Sequence, residues 1–480
     1  MIAWLFSGVI IASLVIYHGC NLLMVALAWL ELRRQRHIGT RRMRVLARSG
    51  ATPSGVAATP LPGVAVIVPA YNESVSIVRT VSSILRSAYP HLQVIVVSDG
   101  STDRTLSALT DAFALRPSNA RPGGSLPTQN VRAVFVSEMD ARLLVVDKRN
   151  GGKADALNVG LNMASQPLVL ATDADVVFDA HALLYLALPF ALHPNTVATS
   201  GMIRLYNGCT VTRNRVASVG VPSTLLELCQ VVEYLRAYGI GRLFFNRLGG
   251  HLIISGAFGL FDRQLLLELG GYQAHAVGED MELVARIHRH CLDQNRPYRI
   301  EFSAHALCYT EAPHTRLDFG KQRTRWHHGL LTTLRIHRHM GFNPRYGSIG
   351  MVTFPYFVLE LYAPALEAIG WLTLPVLWLM GLIPSSTVFL FAAVSVLMSM
   401  SVSLAAILLD AIYFGHFRRA SDRMALVSAA IVEPFWYRPF TVYYRLRAFY
   451  RYYRTIHLKT AWKSPARAAQ PAPVGDTGRR

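Results

Sequence analysis

The fold of this chain is decided by the stretch Val64–Asp103, VAVIVPAYNESVSIVRTVSSILRSAYPHLQVIVVSDGSTD. It begins with a continuous, largely β-branched run, which is typical of a strand buried on both faces. Residues 76–88 have helical spacing, and the run LQVIVVSD is a second strand ending at Asp99. Strand, helix and strand at this interval form a parallel β-α-β unit. The sequence therefore predicts an open α/β sheet.

Two later segments extend this sheet. Residues 143–161, LLVVDKRNGGKADALNVGL, pass from a strand through a glycine pair into a helix, and residues 167–179, PLVLATDADVVFD, form a fourth strand. Residues 116–130 are predicted as loop, because they contain three prolines and two glycines. From the fourth strand to about residue 250 the sequence is interpreted as helix and loop, and the domain is placed at residues 63–345.

Apolar residues cluster outside this domain. Residues 2–30 run nearly uncharged and are long enough to cross a bilayer core of roughly 30 Å. They lack the short apolar core and the cleavage site of a signal peptide, so we expect an anchor. The basic stretch that follows predicts an outside N-terminus and a cytoplasmic, catalytic middle of the chain. Two more membrane-length segments, Tyr356–Ile383 and Thr387–Phe414, predict a multi-pass protein of the cell (inner) membrane.

The predicted organisation has six parts: a transmembrane helix at 1–30, a basic juxtamembrane segment and linker at 31–62, the α/β domain at 63–345, about two interfacial or transmembrane helices at 346–415, a basic re-entrant or interfacial segment at 416–462, and a disordered tail at 463–480.

The location of the positive charge argues against a nucleic-acid partner. The net charge is +19, of which residues 31–50 and 416–480 carry +16 and everything between them only +3. That is too little for a face that tracks phosphates. The charge borders the apolar segments, so membrane lipid is the expected partner. The five cysteines form no CxxC pair, which argues against a zinc cluster.

Asp173 and Asp175 are the candidate metal ligands. An Asp-x-Asp at a strand end directs both side chains to one side, and Mg²⁺ or Mn²⁺ is held by one or two carboxylates together with substrate phosphates. A divalent ion in that place neutralises a leaving diphosphate. A solvated polar turn is the alternative for an isolated Asp-x-Asp.

Further polar residues follow the other strands. Asp99 ends the second strand, at the edge where ligands bind in open α/β sheets. Tyr71, Asn72 and Glu73 end the first and are candidates for a base and ribose pocket, although Asn72 also suits a turn. Lys153 is a candidate phosphate ligand, with a solvated lysine at a helix start as the alternative.

Two motifs near the end of the domain complete the candidate site. Asp280, after Glu279, begins an amphipathic helix and is the candidate general base; a helix-start acid that interacts with the macrodipole is the alternative. Gln322, Arg325 and Trp326 lie within one helical turn. Arg can bind diphosphate bidentately and Trp offers a flat platform to a sugar ring, whereas an isolated Trp near a membrane would be interpreted as interfacial.

With VVSDGSTD, DAD, GED and QRTRW in this order, the chain resembles the processive, membrane-embedded family 2 glycosyltransferases, the synthases of cellulose, hyaluronan, chitin oligosaccharides and poly-N-acetylglucosamine. CYTEAP before GKQRTRW looks most similar to the poly-N-acetylglucosamine synthase branch. The resemblance implies a Rossmann-like GT-A fold, inversion at the anomeric carbon and a β-linked product.

The resemblance also implies roles for the candidate residues. Asp99 would contact the nucleotide, Asp173 and Asp175 the metal and diphosphate, and Asp280 would be the base. Glu279, Gln322, Arg325 and Trp326 would hold the diphosphate and the acceptor. The implied ligands are a UDP-sugar, with UDP-N-acetylglucosamine as first guess, Mg²⁺ or Mn²⁺, and a glycan.

Three membrane segments and one ambiguous one are few for a polymer channel. The sequence therefore also allows an accessory export subunit or a homo-oligomer. A non-processive transferase that adds a single sugar to a lipid-linked acceptor is the alternative function, and a non-catalytic binding component is a third.

Overall fold

The computed structural model describes residues 1–48, 61–212, 214–274 and 276–455. Residues 49–60 of the predicted juxtamembrane segment and linker, and the predicted tail at 463–480, lie outside the described residues. Within them the strands are β1 Val64–Ala70, β2 Leu92–Asp99, β3 Leu115–Ser118, β4 Val131–Ser137, β5 Leu143–Lys148, β6 Leu168–Ala171, β7 Val177–Phe178, β8 Thr196–Leu205, β9 Thr210–Val211, β10 Val216–Ser218, β11 Gly259–Asp262 and β12 Arg299–Thr310.

The α-helices are α1 Ile2–Arg48, α2 Ile77–Leu85, α3 Thr105–Phe113, α4 Lys153–Met163, α5 Ala182–Leu192, α6 Leu225–Arg236, α7 Leu243–Leu248, α8 Arg263–Glu268, α9 Glu279–Asp293, α10 Arg316–Ile336, α11 Phe354–Leu379, α12 Ser385–Tyr413 and α13 Ala420–Thr455. Two π-helical turns, Ala237–Arg242 and Ile349–Thr353, precede α7 and α11. Short 3₁₀ turns occupy Arg338–Met340 and Pro344–Tyr346.

The large sheet has the order β3-β4-β5-β2-β1-β6-β11-β8-β12-β7. Its centre, β5-β2-β1-β6, is parallel, which confirms the predicted β-α-β unit and the α/β class. All seven residues of β1 are buried, as a strand covered on both faces must be. Because the four strands are parallel, their carboxyl ends meet at one edge, where the candidate residues follow them.

The interpretation of residues 180–250 as helix and loop is wrong at β8, a fully buried strand of ten residues between β11 and β12. Its sequence, TVATSGMIRL, has small and hydroxyl residues where a buried strand usually has branched ones. A small residue is needed at Gly201, because a Cβ there would lie 2.4 Å from the Phe258 ring that packs against this strand. The predicted loop 116–130 likewise begins within edge strand β3.

Among the described residues, three helices are long and apolar enough to span a membrane: Ile2–Arg36, Ile349–Leu379 and Ser385–Tyr413. They coincide with the three apolar segments of the sequence. The basic segment after them forms one helix, α13, which continues through Pro434 and Pro439. Between Ala420 and Thr455 the chain therefore continues as a single helix without reversing.

The first membrane candidate is fixed to the α/β domain by buried polar contacts. Asn246 Nδ2 donates to Glu31 Oε1 at 2.6 Å, and Glu31 is fully buried. One turn later, Gln35 donates to the Phe302 carbonyl at 2.8 Å and accepts from the Ala304 N–H at 3.0 Å. A buried acid without a partner is costly, so these contacts determine how the domain sits on α1.

Candidate active site

A cavity of about 580 Å³ lies at the carboxyl edge of the parallel strands and continues between α1, α6, α11 and α13. Its volume is within the range of small-molecule sites. Nine of the twelve predicted site residues line it: Glu73, Lys153, Asp173, Asp175, Glu279, Asp280, Gln322, Arg325 and Trp326. The structure therefore brings together residues that are more than 250 positions apart in the chain.

The Asp-x-Asp pair faces the cavity directly after β6. Lys153 Nζ contacts Asp173 Oδ1 at 2.7 Å and Glu279 Oε1 at 3.3 Å. Burial lowers the pKa of Lys153, but the attraction of Asp173, Glu279 and Asp280 outweighs it and leaves the pKa above its ordinary value. Thr310 Oγ1 donates to Asp175 Oδ2 at 3.3 Å. The Lys153 ammonium therefore offsets part of the negative charge of Asp173 and Glu279.

Asp99 ends β2 as predicted, but its side chain is fully buried and does not line the cavity. Its oxygens accept the N–H groups of Gly151 at 2.9 Å and Gly152 at 2.8 Å, and the Lys148 ammonium contacts it. Asp99 therefore holds the glycine turn that starts α4. In the turn that precedes α3, Asp103 accepts the Thr105 N–H at 2.9 Å.

Tyr71 and Asn72 also lie outside the cavity lining. Asn72 has a φ of 58°, in the left-handed region, and its side-chain oxygen accepts the Thr102 N–H at 2.8 Å. Asparagine tolerates this conformation and bridges such turns. These contacts match the alternative role of Asn72, which is to shape the turn. Glu73 is buried against Ser76 and reaches the cavity wall.

The start of α9 presents Asp280 to the cavity. The Gly256 N–H donates to Asp280 Oδ2 at 2.9 Å and the Met281 N–H to Oδ1 at 2.8 Å, which fixes the carboxylate. Burial raises the pKa of Glu279, an effect that Lys153 opposes and Asp280 reinforces. Gly278 brings this helix start against α10, because a Cβ there would lie 3.1 Å from the Cα of Gly329.

Helix α10 supplies the opposite wall. The Gln322 Oε1 atom is buried without a hydrogen-bond partner among the described residues. Arg325 lines the cavity, and the described residues include no hydrogen-bond or salt-bridge partner for it. Trp326 is 39% exposed, with Arg323 stacked 4.2 Å from its ring centre. Arg323 is itself buried and paired with Glu233 at 2.8 Å. The unpaired groups of this wall are therefore available to a ligand.

Sequence reasoning assigned no role to a second set of lining residues, of which only Glu311 belongs to a quoted segment, CYTEAP: Glu233, Tyr234, Arg236, Tyr238, Arg242, Glu311 and His314. Most belong to α6 and the π-turn after it. Only the spacing of Tyr234, Tyr238 and Arg242, four residues apart, could have indicated a common helical face.

His314 lies between two carboxylates at the cavity rim. Its Nδ1 is 2.7 Å from Glu227 Oε1 and its Nε2 is 2.9 Å from Glu311 Oε1. Burial lowers the pKa of His314, but hydrogen bonds and attraction from Glu311 and Glu227 outweigh it, so the pKa is raised above 6.5. Both ring nitrogens act as donors only in the protonated imidazole. The charged ring thus ties α6 to the segment that leads into α10.

We expect the stabilising effect of His314 to depend on pH. A raised folded-state pKa means that the contribution is complete below about pH 6.5, the unfolded value, and is lost as pH rises through the folded value. The difference in Tm between wild type and His314→Gln should therefore be larger at pH 6 than at pH 9, as measured by thermal fluorimetry. The exposed His181→Gln variant is the control. A difference independent of pH would contradict this prediction.

The chain matches the family described as Glycosyl transferase family 2 over residues 65–270, and that described as Glycosyl transferase family group 2 over residues 168–417, more than half its length. The chain belongs to the family 2 glycosyltransferases. It is accordingly an enzyme, with a GT-A-like α/β domain and apolar helices on both sides of it.

Among curated proteins, this glycosyltransferase is similar to the poly-beta-1,6-N-acetyl-D-glucosamine synthases of two staphylococci. The Staphylococcus epidermidis protein (strain RP62A) is 28% identical over 267 residues, which cover 56% of this chain and 54% of the relative. The Staphylococcus aureus protein (strain COL) is 28% identical over 269 residues, covering 56% and 55%. The chain spans about half the length of the curated relatives it matches.

Among solved structures, the glycosyltransferase is similar to a mannosyltransferase from Pyrobaculum calidifontis in complex with GDP-Man and Mn²⁺. The identity is 21%, the coverage 90% of this chain and 99% of the other, and the TM-score 0.48.

Proposed function

We propose that this glycosyltransferase transfers a sugar from a UDP-sugar, with UDP-N-acetylglucosamine as the first candidate, to a growing β-linked glycan, with inversion at the anomeric carbon. The observation that carries the proposal is the single cavity in which Asp173, Asp175, Asp280, Arg325 and Trp326 meet. The similarity to poly-beta-1,6-N-acetyl-D-glucosamine synthases supports the choice of donor and product.

Asp173 and Asp175 suit a divalent ion. They follow one strand, both line the cavity, and Asp173 is 40% exposed, so its oxygens are accessible. No group of three or more His, Cys, Asp or Glu side chains within the described residues could enclose a metal. Two carboxylates that leave room for phosphate oxygens match Mg²⁺ or Mn²⁺. When bound, such an ion neutralises charge on the departing diphosphate.

The proton transfer, the binding of the diphosphate and the compensation of charge are each assigned to a different residue of the chain. Asp280, held by two backbone N–H groups, accepts the proton of the acceptor hydroxyl. That oxygen forms a bond to the anomeric carbon while the bond from this carbon to the diphosphate oxygen breaks, and UDP departs with the electron pair. A single displacement of this kind inverts the carbon. Arg325, which lacks a described partner, binds the diphosphate, and Lys153 compensates the neighbouring acids.

The shape of the cavity favours a glycan acceptor longer than one sugar. Beyond the carboxylates, its wall includes Tyr17 and Asn21 of α1, Tyr356 and Glu360 of α11, and Arg445 of α13. Polar and aromatic side chains along this part of the cavity suit a chain of hydroxyl-bearing sugars and give it a route towards the membrane. The same part of the cavity would admit the head of a lipid-linked acceptor, which is the alternative to be tested.

The helices support a multi-pass membrane protein with a cytoplasmic active site. Helix α13 runs along the α/β domain: Arg236 pairs with its Glu433, and Tyr452 near its end accepts from Arg335 at 3.3 Å. Its outer face is apolar and aromatic, including Phe435, which is 64% exposed, and it ends with exposed arginines. Such a helix lies in the interface with anionic lipid heads.

The test uses membranes that contain the full chain, with Mg²⁺ or Mn²⁺ and a panel of UDP-sugars. UDP release is measured, and products are sized by gel electrophoresis and mass spectrometry. We expect release with one preferred donor and a ladder of products. A single-sugar product that requires added lipid extract would favour the alternative, and no donor-dependent release from any UDP-sugar would overturn the proposal.

A further inference from the structure

Glu282 and Arg286 form a buried ion pair on α9, the helix that begins with Glu279 and Asp280. The two residues are 4% and 9% exposed, and neither lines the cavity. Arg286 Nε donates to Glu282 Oε1 at 3.1 Å, and its Nη2 donates to Glu282 Oε2 at 2.9 Å. A two-point contact between a planar guanidinium and a carboxylate fixes the orientation of both side chains.

His337 joins this ion pair to α10. It follows the last residue of α10, is 1% exposed, and places its Nε2 atom 3.4 Å from Glu282 Oε1. Burial raises the pKa of Glu282, but hydrogen bonds and attraction from His337 and Arg286 outweigh it, so the pKa lies below its ordinary value. Glu282 is therefore charged at neutral pH and holds the end of the helix that carries Arg325.

The Arg286 guanidinium also holds a glycine turn. Its Nη1 donates to the Leu269 carbonyl, and its Nη2 donates to the Gly271 carbonyl at 2.9 Å. Gly270 and Gly271 have φ angles of 75° and 71°, a left-handed conformation that other residues adopt only with strain. Because buried carbonyl groups need a donor, this arginine is part of what keeps the turn in place.

The glycine turn is fixed to α4 as well. Asn158 Nδ2 donates to the Tyr272 carbonyl at 2.9 Å, and its Oδ1 accepts the Tyr272 N–H at 2.8 Å. A Cβ on Gly271 would lie 2.4 Å from Asn158 Oδ1, so glycine is needed for this close approach. Helix α4 begins with Lys153. The turn therefore connects the helix that carries Lys153 to α9.

The three helices joined by this network all contribute to the cavity wall. Helix α4 contributes Lys153, α9 contributes Asp280, and α10 contributes Arg325. A general base must lie within roughly 2.6–3.2 Å of the atom whose proton it accepts, and a misplacement of about 1 Å can cost on the order of 10²-fold in rate. Glu282 is within one helical turn of Asp280, so a change in its contacts displaces the start of α9.

We propose that Glu282, Arg286 and His337 are positioning residues for sugar transfer, which hold the start of α9 so that Asp280 meets the acceptor hydroxyl. They act through the backbone of α9, because none of them lines the cavity. A pair that only stabilises the fold is the alternative, although buried ion pairs often add little net stability. This inference rests on the proposed function, because it presumes that Asp280 is the base.

The test compares each variant in two backgrounds, wild type and Asp280→Asn. Membranes that contain the full chain receive Mn²⁺ and radiolabelled UDP-N-acetylglucosamine, and the initial rate of label transfer is measured beside a separate UDP titration. In wild type, we expect Glu282→Gln and His337→Leu to lower transfer about tenfold and to leave UDP affinity within about twofold. In Asp280→Asn, the same changes should alter the residual rate less than about twofold, because residues that act through one group are not additive.

The matched control is Asp410→Asn, which breaks another buried ion pair, that of Arg204 with Asp410 between β8 and α12. Any loss of transfer that it causes should be the same in both backgrounds, since it does not act through Asp280. His337→Leu leaves the Glu282–Arg286 pair in place. It therefore decides the question by itself if Glu282→Gln does not fold.

The outcomes separate this inference from the proposed function. An equal loss of transfer from Glu282→Gln or His337→Leu in the two backgrounds would indicate a general effect on the fold and overturn the inference. Unchanged transfer in both variants, or a parallel loss of UDP affinity, would also overturn it. Full transfer by Asp280→Asn alone would instead refute the proposed base, and with it the positioning role.

Discussion

Replacing Asp280 by Asn is expected to lower sugar transfer by about 10²–10⁴-fold, the usual contribution of a general base. The amide has nearly the shape of the carboxylate but cannot accept the proton. The packing of α9 against α10 does not depend on it, and Lys153 retains its contacts with Asp173 and Glu279. UDP affinity should therefore stay within about twofold of wild type. Initial rates of UDP release and a separate UDP titration measure the two effects.

The exposed Asp111→Asn variant on α3 is the control for a lost carboxylate, and it should behave like wild type. Full transfer by Asp280→Asn would exclude Asp280 as the base and direct attention to Glu279, the other carboxylate at this helix start. Loss of UDP binding together with transfer would instead indicate a structural role. A non-catalytic binding component would show neither effect, so the experiment also tests that third function.

The sequence predicted those parts of the molecule that local patterns encode. β1, α2 and β2 follow from a buried apolar run, a helical period and a second run. Asp173 and Asp175 could be located because they follow the apolar run of β6, and Asp280 because it begins the amphipathic helix α9. The candidate membrane helices could be predicted equally well, because their length and apolar composition are properties of the segment itself.

Features that depend on distant partners were not predictable. β8 lacks a branched apolar run because Gly201 must admit the Phe258 ring. Asp99 ends its strand as expected, yet Lys148 and two glycine N–H groups hold it away from the cavity. The π-turn that aligns Tyr238 with Arg242 has no sequence signature, because its geometry is set by packing between α6 and the helices around it.

Replacing Asp175 by Asn, or removing divalent ions with EDTA, is expected to lower transfer by at least about 10²-fold, because charge stabilisation by a metal is worth several kcal/mol and each 1.36 kcal/mol is tenfold in rate. The two carboxylates leave too few protein ligands for tight binding without phosphate. Mn²⁺ should therefore bind weakly to the protein alone and more tightly with UDP, as followed by electron paramagnetic resonance. Asp175→Asn should abolish that gain, whereas the exposed Asp179→Asn on the same connection should retain it. Lys153 already offsets part of the negative charge of Asp173. If transfer were undiminished in EDTA, no divalent ion would be needed, and Lys153 and Arg325 alone would neutralise the departing diphosphate.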